Sequence, residues 1–180
     1  MMRHRERSRA VALGDPSRRR RGRGAALIEF ALVFPILILI LFGTVDFGVV
    51  LLNINTTKQG TREGARQAVV SNFGSSTSCT ATPSSISGEA RQLICLVKNR
   101  IGLESVDTRI KINFPNANQV GNSILVCAQY PMRSTTGLLG PVLNSRVIRA
   151  KVEMRIEKAD TNLVAVSETA LPGQDWLWCA

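Results

Sequence analysis

The chain has 180 residues and a formal net charge of +10. Most of this charge lies in the first 23 residues, where nine arginines outnumber Glu6 and Asp15, so a broadly basic surface on the folded part is excluded. The length allows one domain and a further short segment.

The arginine-rich stretch 18–24 reads RRRRGRG and is followed almost at once by an apolar run. Arginine-rich arms can bind nucleic acid, but no aromatic residue or helix-turn-helix pattern accompanies these arginines. Arginine beside an apolar segment is also typical of the cytoplasmic flank of a membrane helix. The stretch therefore predicts a membrane flank and no nucleic-acid partner.

The apolar run predicts one transmembrane helix. Residues 30–45 carry no charge, and the 28 residues 25–52 would form about 42 Å of helix, enough for a bilayer core of about 30 Å. Twelve Leu, Ile, Val and Phe residues within 30–45 favour insertion by about 4 to 7 kcal/mol, more than the roughly 3 kcal/mol that Asp46 would cost at the centre. The arginine excess predicts an N-terminus in the cytoplasm and an exported chain after about residue 52.

A cleavable secretory signal is the obvious alternative for this run. Such a signal has about 7 to 15 apolar residues, followed by small residues at the cleavage site. This run is longer, and residues 53–59, NINTTKQ, follow it. Cleavage after the run is therefore not expected. An uncleaved signal anchor stays open, although it gives no reason for Glu29 or Asp46.

After the membrane run, residues 53–71 predict a continuation of the helix, loosened at Gly60 and Gly64. Residues 72–87 are rich in Ser, Thr, Gly and Pro, which predicts a loop. The first exported segment is thus expected to be a helical extension that ends in irregular chain.

A second helix is predicted between an N-cap at Ser87 and a stop at Gly102. Its apolar residues recur at helical spacing, which indicates one buried face. This face comprises Ala90, Leu93, Ile94, Val97 and Ile101.

The pattern then changes to strands. Apolar and polar residues alternate over 110–114 and 148–156, and residues 123–131, SILVCAQYP, predict a more buried strand between them. Residues 138–144 predict a short helical turn. The fold class is therefore α+β: a long N-terminal transmembrane helix, then a small disulfide-bonded domain with a helix packed on an antiparallel sheet of about three strands.

All four cysteines follow the membrane run, and no C-x-x-C pattern occurs. Zinc ligation by widely spaced thiols fits this pattern poorly, so no metal site is predicted, whereas two disulfides suit an oxidising compartment. Four cysteines allow three pairings. We favour Cys79 with Cys95, which closes a loop at a helix start, and Cys127 with Cys179, which anchors the C-terminal tail.

Motifs of catalysis are missing from the sequence. It contains no G-x-S-x-G, P-loop, H-E-x-x-H or G-x-G-x-x-G pattern. The serines between 75 and 87 lie in a low-complexity loop, and Glu153 and Glu157 share the charged face of a strand. We therefore predict no enzyme, no catalytic residue and no cofactor.

The stretch 22–30, GRGAALIEF, places a glutamate inside the start of the apolar run. A basic leader ending in glycine, with glutamate at the fifth position after it, resembles the processing site of type IV pilin-like precursors. The resemblance implies that a prepilin peptidase cuts between Gly24 and Ala25, which makes Glu29 the fifth residue of the mature chain.

A narrower resemblance covers roughly residues 21–68. The segment RGRGAALIEFALVFPILILILFGTVDFG, followed by TREGAR at 61–66, resembles the TadE-like proteins of tight-adherence pilus systems. These are minor pilins or pseudopilins. Major pilins of such systems are shorter and usually carry Tyr after the glutamate, where this chain has Phe30. The TadF-like sister group shares the leader pattern and stays open.

The resemblance implies three segments: a basic prepilin leader at 1–24, a transmembrane helix with its extension at 25–72, and an exported pilin-like α+β domain at 73–180. It also implies a role in initiating or capping a tight-adherence pilus, with the exported domain outside the bacterial cytoplasmic membrane. The implied partners are prepilin peptidase, the major pilin, a TadF-like minor pilin, and the platform membrane proteins and assembly ATPase of the pilus machine.

A physical argument supports a role for Glu29 in assembly. A carboxylate in hydrocarbon is unfavourable unless it is paired, and cleavage would create a new cation, the α-amine of Ala25. Staggered helices could pair Glu29 with a neighbour's amine, which would disfavour wrong registers. Pro35 predicts a local kink. Asp46 is expected either to face a partner helix or to lie at the outer membrane interface.

Two other functions stay open at this point. The chain could be an uncleaved, single-pass membrane-anchored binding module, which the mass of the purified protein would distinguish from a pilin. It could also be a pseudopilin of a secretion system, which neighbouring genes would distinguish.

Overall fold

The first helix, α1 (Pro16–Val69), is 54 residues long and continues through Pro35. The structure, a computed structural model, describes residues 16–74 and 78–180. Most of the leader predicted at 1–24 therefore lies outside the described residues. The elements after α1 are α2 (Gly88–Ile101), β1 (Arg109–Asn113), β2 (Ser123–Pro131), α3 (Gly140–Leu143), β3 (Val147–Arg155) and β4 (Val166–Ser167).

The chain divides into two compact units, Met1–Leu41 and Phe42–Ala180. This boundary lies within α1 and differs from the predicted limit of the exported domain at residue 73. The second half of α1 is therefore part of the larger unit, because its residues contribute to that unit's core.

In the described residues, one helical segment, Gly24–Val69, is long and apolar enough to cross a membrane, and none of its most apolar stretch is buried. Large apolar side chains such as Leu32 and Ile36 are 70% and 62% exposed. Leucine and isoleucine exposed in a continuous run are unfavourable in water and favourable in lipid. The segment fits the predicted single-pass membrane anchor.

The sequence predicted that Gly60 and Gly64 loosen α1. Both instead lie within a continuous helix and allow it to approach α2 closely. A Cβ atom built on Gly60 would lie 2.4 Å from the backbone nitrogen of Ile101, and one on Gly64 would lie 2.4 Å from Cγ2 of Val97. Only hydrogen fits at these two positions. The helix nevertheless continues to Val69, because packing against α2 offsets the lower helix propensity of glycine.

The predicted second helix is confirmed, and so is its buried face. Ser87 takes the N-cap position, although its side chain makes no capping hydrogen bond. Gly102 ends the helix with a φ of 69°, and its N–H donates to the carbonyl of Lys98 at 3.0 Å. Glycine suits this position because a left-handed φ is unfavourable for residues with a Cβ.

The sheet has four strands within the described residues, in the order β3-β2-β1-β4, and all of its pairings are antiparallel. The three predicted strands are confirmed, and β4 is an addition. It pairs with β1 through Ser167 opposite Lys111 and Val166 opposite Ile112. A strand of two residues is too short to show an alternating pattern, so β4 could not be predicted from the sequence.

One face of the sheet packs against the helices. The register places Ile112 opposite Val126 and Val126 opposite Val152, so these side chains share one face. The same apolar core includes Leu93 of α2 and Ala65 of α1. The core of the larger unit therefore lies between the two helices and this face.

The C-terminal tail covers residues on the opposite face of the sheet. Cys127 and Gln129 of β2 are fully buried there. The Gln129 amide donates to the carbonyl of Asp175 at 2.7 Å and accepts from the N–H of Leu171 at 3.2 Å. The nearly continuous apolar sequence of β2, from which a buried strand was predicted, suits a strand that is covered on both faces.

Both favoured disulfides are confirmed. Cys79 and Cys95 join the loop before α2 to that helix, with Cα atoms 5.3 Å apart. Cys127 and Cys179 join β2 to the penultimate residue, with Cα atoms 6.2 Å apart. The second bridge fixes the tail over the sheet, and all four cysteines are paired.

A buried ion pair joins α2 to the chain after β4. The Lys98 amine lies 2.9 Å from a carboxylate oxygen of Glu168, and neither side chain is exposed. Lys98 also donates to the carbonyls of Thr80 and Ser105, whereas Glu168 accepts from the backbone N–H groups of Thr82 and Ile110, each at 2.8 Å. Burial lowers the pKa of the Lys98 amine, and the neighbouring carboxylate opposes that shift.

The glycine contact gives a direct test of this packing. We expect Gly60→Ala to lower the free energy of unfolding by about 1 to 3 kcal/mol, because the added methyl would meet the backbone of Ile101. Gly48→Ala is the matched control, since nothing lies within 4 Å of its Cβ position. Thermal unfolding of the detergent-solubilised protein, followed by near-ultraviolet circular dichroism, measures both. An equal response of the two variants would contradict the close approach.

Candidate assembly site

The residues predicted for cleavage and helix pairing all lie on α1, in two groups, whereas the four cysteines lie in the domain that follows. The first group, near the start of the described side chains, comprises Gly24, Ala25, Glu29, Phe30 and Pro35, and Asp46 lies at the end of the uncharged run. The two groups belong to different units of the chain and are described separately.

Gly24 and Ala25 lie inside a continuous helix, and both are exposed. Nothing lies within 4 Å of the Cβ position of Gly24. Among the residues whose side chains the structure describes, a larger side chain at position 24 would therefore meet no neighbour.

Glu29 projects from the exposed surface of α1. Among residues 24–74 and 78–180, whose side chains the structure describes, no side chain forms an ion pair or hydrogen bond with its carboxylate. Phe30, the next residue, packs on Phe34 one turn later with ring centroids 5.1 Å apart. Its side chain is nevertheless 62% exposed. Both side chains are thus available to another molecule.

Asp46 is 1% exposed, although it lies among apolar residues of α1. Its Oδ1 accepts from the backbone N–H groups of Thr135 and Thr136, both at 2.9 Å. Its Oδ2 accepts from the hydroxyls of Ser134 and Thr136, at 2.6 and 2.7 Å. Four hydrogen bonds therefore connect this carboxylate to the segment after β2.

This environment corrects one of the two expectations for Asp46. The sequence left open a partner helix or a position at the outer membrane interface. Both carboxylate oxygens are hydrogen-bonded within the chain, so Asp46 has no exposed oxygen to offer a neighbouring helix. A position at the outer interface stays a prediction. The four donors compensate for the desolvation of a buried charge.

Sequence reasoning missed the partners of Asp46. Ser134, Thr135 and Thr136 form a short polar run, and such runs occur in many turns. Residue 46 and residues 134–136 are about 90 positions apart, and no periodic pattern relates them. The one indication in the sequence was an acid within an apolar run. Such an acid predicts that a partner exists, but it does not predict which residues form it.

The region around Gly24, Glu29, Pro35 and Asp46 also matches a known family. Residues 24–66 match the family model described as TadE-like protein, which confirms the resemblance over that segment. The matched part includes Gly60 and Gly64, which contact α2. No curated protein matched the chain. No solved structure matched it either.

The bonds to Asp46 can be tested by proteolysis. Asp46→Ala leaves two N–H groups and two hydroxyls without their acceptor, and hydrogen bonds to a charged group contribute about 1.5 to 3 kcal/mol each. We expect trypsin to cleave faster after Arg133 and Arg146, which flank the released segment. Asp46→Asn should have a smaller effect, because an amide keeps one acceptor oxygen.

Glu153→Gln is the control for loss of one negative charge, since Glu153 is exposed on β3. Mass spectrometry of the first fragments measures the cleavage rate at each arginine. Equal rates in the Asp46→Ala variant and the unsubstituted protein would show that the four bonds do not hold this segment.

Proposed function

We propose that this chain, with its TadE-like segment at residues 24–66, is a minor pilin or pseudopilin that initiates or caps tight-adherence pili. In this proposal prepilin peptidase removes the leader 1–24 on the cytoplasmic side of the membrane. The helix then stays in the bacterial cytoplasmic membrane as a single span, with the disulfide-bonded domain outside. The protein can later enter a surface pilus.

The observation that carries the proposal is the environment of Glu29. Its carboxylate lies in an exposed apolar helix and has no partner among the described residues. In a lipid environment an unpaired carboxylate is strongly unfavourable, so a partner from another molecule is expected. Cleavage after Gly24 supplies such a partner as the α-amine of Ala25 in an adjacent helix.

The contrast between Glu29 and Asp46, the two acids within the apolar part of α1, supports this assignment. Asp46 has four hydrogen bonds within the chain, whereas Glu29 has none among the described residues. Both lie in the segment that matches the family model. We assign intermolecular helix pairing to Glu29, with Phe30 and Pro35 shaping the same surface, and an intramolecular role to Asp46.

The role is structural rather than enzymatic, in keeping with the pilus-related family. In residues 16–74 and 78–180 no group of three or more His, Cys, Asp or Glu side chains could hold a metal ion. The proposed partners are prepilin peptidase, the major pilin, a TadF-like minor pilin, and the platform proteins and assembly ATPase of the pilus machine. The disulfides suit a domain that works in an oxidising space.

Processing is tested by the N-terminal sequence of the protein purified from membranes. We expect the native chain to begin at Ala25 and Gly24→Val to accumulate as the precursor, because a side chain obstructs the peptidase. Gly43→Val is the matched control, since its Cβ position is equally open and lies in the same helix. A native chain that begins at Met1 would instead identify an uncleaved anchored module.

Helix pairing is tested by Glu29→Gln, which keeps the size of the side chain and removes its charge. Only the processed fraction is scored, because the peptidase could also read this acid. We expect processed Glu29→Gln protein to accumulate in the membrane without entering pili or co-purifying with a partner pilin. Glu63→Gln is the control, since Glu63 lies on α1 beyond the apolar run and pairs with Arg66 at 3.9 Å. Normal assembly of processed Glu29→Gln subunits would leave Glu29 as a cleavage signal only.

A further inference from the structure

We propose that residues 133–146, which connect β2 to β3 and include α3, rest on the outer lipid surface of the membrane. This inference rests on the proposed function, in which the domain lies outside. It adds a second membrane contact to the transmembrane helix. The contact is made by the folded domain itself.

Asp46 lies where the apolar run reaches the length of a bilayer core. The 21 residues 25–45 form about 31 Å of helix, which matches a bilayer core of about 30 Å. Residues 30–45 carry no charge, and Asp46 is the first charged residue after them, so it marks the outer boundary of the span. The hydrogen bonds from Ser134, Thr135 and Thr136 hold residues 133–146 at that boundary.

The connection exposes apolar side chains and carries no acidic residue. Leu138 is 46% exposed and Val142 is 63% exposed, although both belong to a folded, hydrogen-bonded segment. No acidic residue occurs between positions 133 and 146. Exposed apolar side chains without neighbouring negative charge are typical of segments that lie in the membrane interface.

Two arginines, Arg133 and Arg146, lie at the two ends of the connection. The N–H of Met132 donates to the carbonyl of Arg146 at 2.9 Å, so the ends of the connection meet. Arg133 pairs with Asp107 at 2.8 Å. Arg146 is exposed and has no ion pair within the described residues. A guanidinium beside exposed apolar side chains can reach lipid phosphates while the apolar groups enter the interface.

The opposite end of the sheet provides a matched control. Val120 lies in the turn before β2, whereas residues 133–146 follow the end of that strand. The nine residues of β2 separate the two ends by about 30 Å. Val120 is 65% exposed, close to the 63% of Val142, and it is expected to remain in water.

The test uses single cysteines labelled with the environment-sensitive fluorophore NBD. Because all four native cysteines are in disulfides, a maleimide reagent under non-reducing conditions labels only the added thiol. Leu138→Cys, Val142→Cys and Val120→Cys are labelled in the full-length protein and reconstituted into phosphatidylcholine–phosphatidylglycerol vesicles. A nitroxide attached near the lipid headgroup then serves as the quencher.

We expect fluorescence to be quenched and shifted to the blue at positions 138 and 142, and neither change at position 120. Absence of quenching at 138 and 142, or equal quenching at all three positions, overturns the proposal. A blue shift without lipid quenching also overturns it, because that result would place protein rather than lipid on this surface.

A separate measurement distinguishes failure of this inference from failure of the proposed topology. A membrane-impermeant maleimide is added to spheroplasts that express Val120→Cys. Labelling from outside supports the topology, so missing quenching at 138 and 142 would then count against the lipid contact alone. Labelling only after permeabilisation would overturn the topology and the lipid contact together.

Discussion

The buried pair of Lys98 and Glu168 is the interaction on which the disulfide-bonded α+β domain depends. It joins α2 to the chain after β4, and its other hydrogen bonds reach the backbone of Thr80, Thr82, and Ile110. The loop before α2, the turn after α2 and strand β1 each supply a backbone group to one of the two charges. A buried ion pair adds little net stability, but loss of one partner leaves a charge without compensation. The pair therefore selects one arrangement of these segments over others.

The two halves of α1 lie in two different environments. Its exposed first half has the composition of a membrane span. In its second half, Gly60 and Gly64 remove side chains where α2 must approach, and Asp46 accepts four hydrogen bonds from residues 134–136. The family match at residues 24–66 covers both environments. The matched segment thus includes the residues proposed for helix pairing and those that hold the domain to its own helix.

Much of the fold could be predicted from local patterns. The period of α2, the alternation in β1 and β3, and the apolar run of β2 are local, and the structure confirms each of them. The missed features depend on distant residues. Neither β4 nor the buried Lys98–Glu168 pair has a local pattern, and a glycine in a helix has the same sequence signal whether it loosens the helix or admits a neighbour. Four cysteines alone permit three pairings. The pairing was predicted because one bridge would close a loop at a helix start and the other would anchor the C-terminal tail.

The sequence by itself determined α2, the three longer strands and the membrane character of α1, because hydrophobic periodicity and an uncharged run are properties of neighbouring residues. It also placed Glu29 at a fixed distance from Gly24, on which the family resemblance depends. Tertiary structure decided the difference between Asp46 and Glu29. Asp46 and Glu29 are both carboxylates in an apolar context, and only the folded chain provides donors for Asp46. The physical reason is that a hydrogen bond requires atoms about 3 Å apart, and sequence separation does not specify that distance.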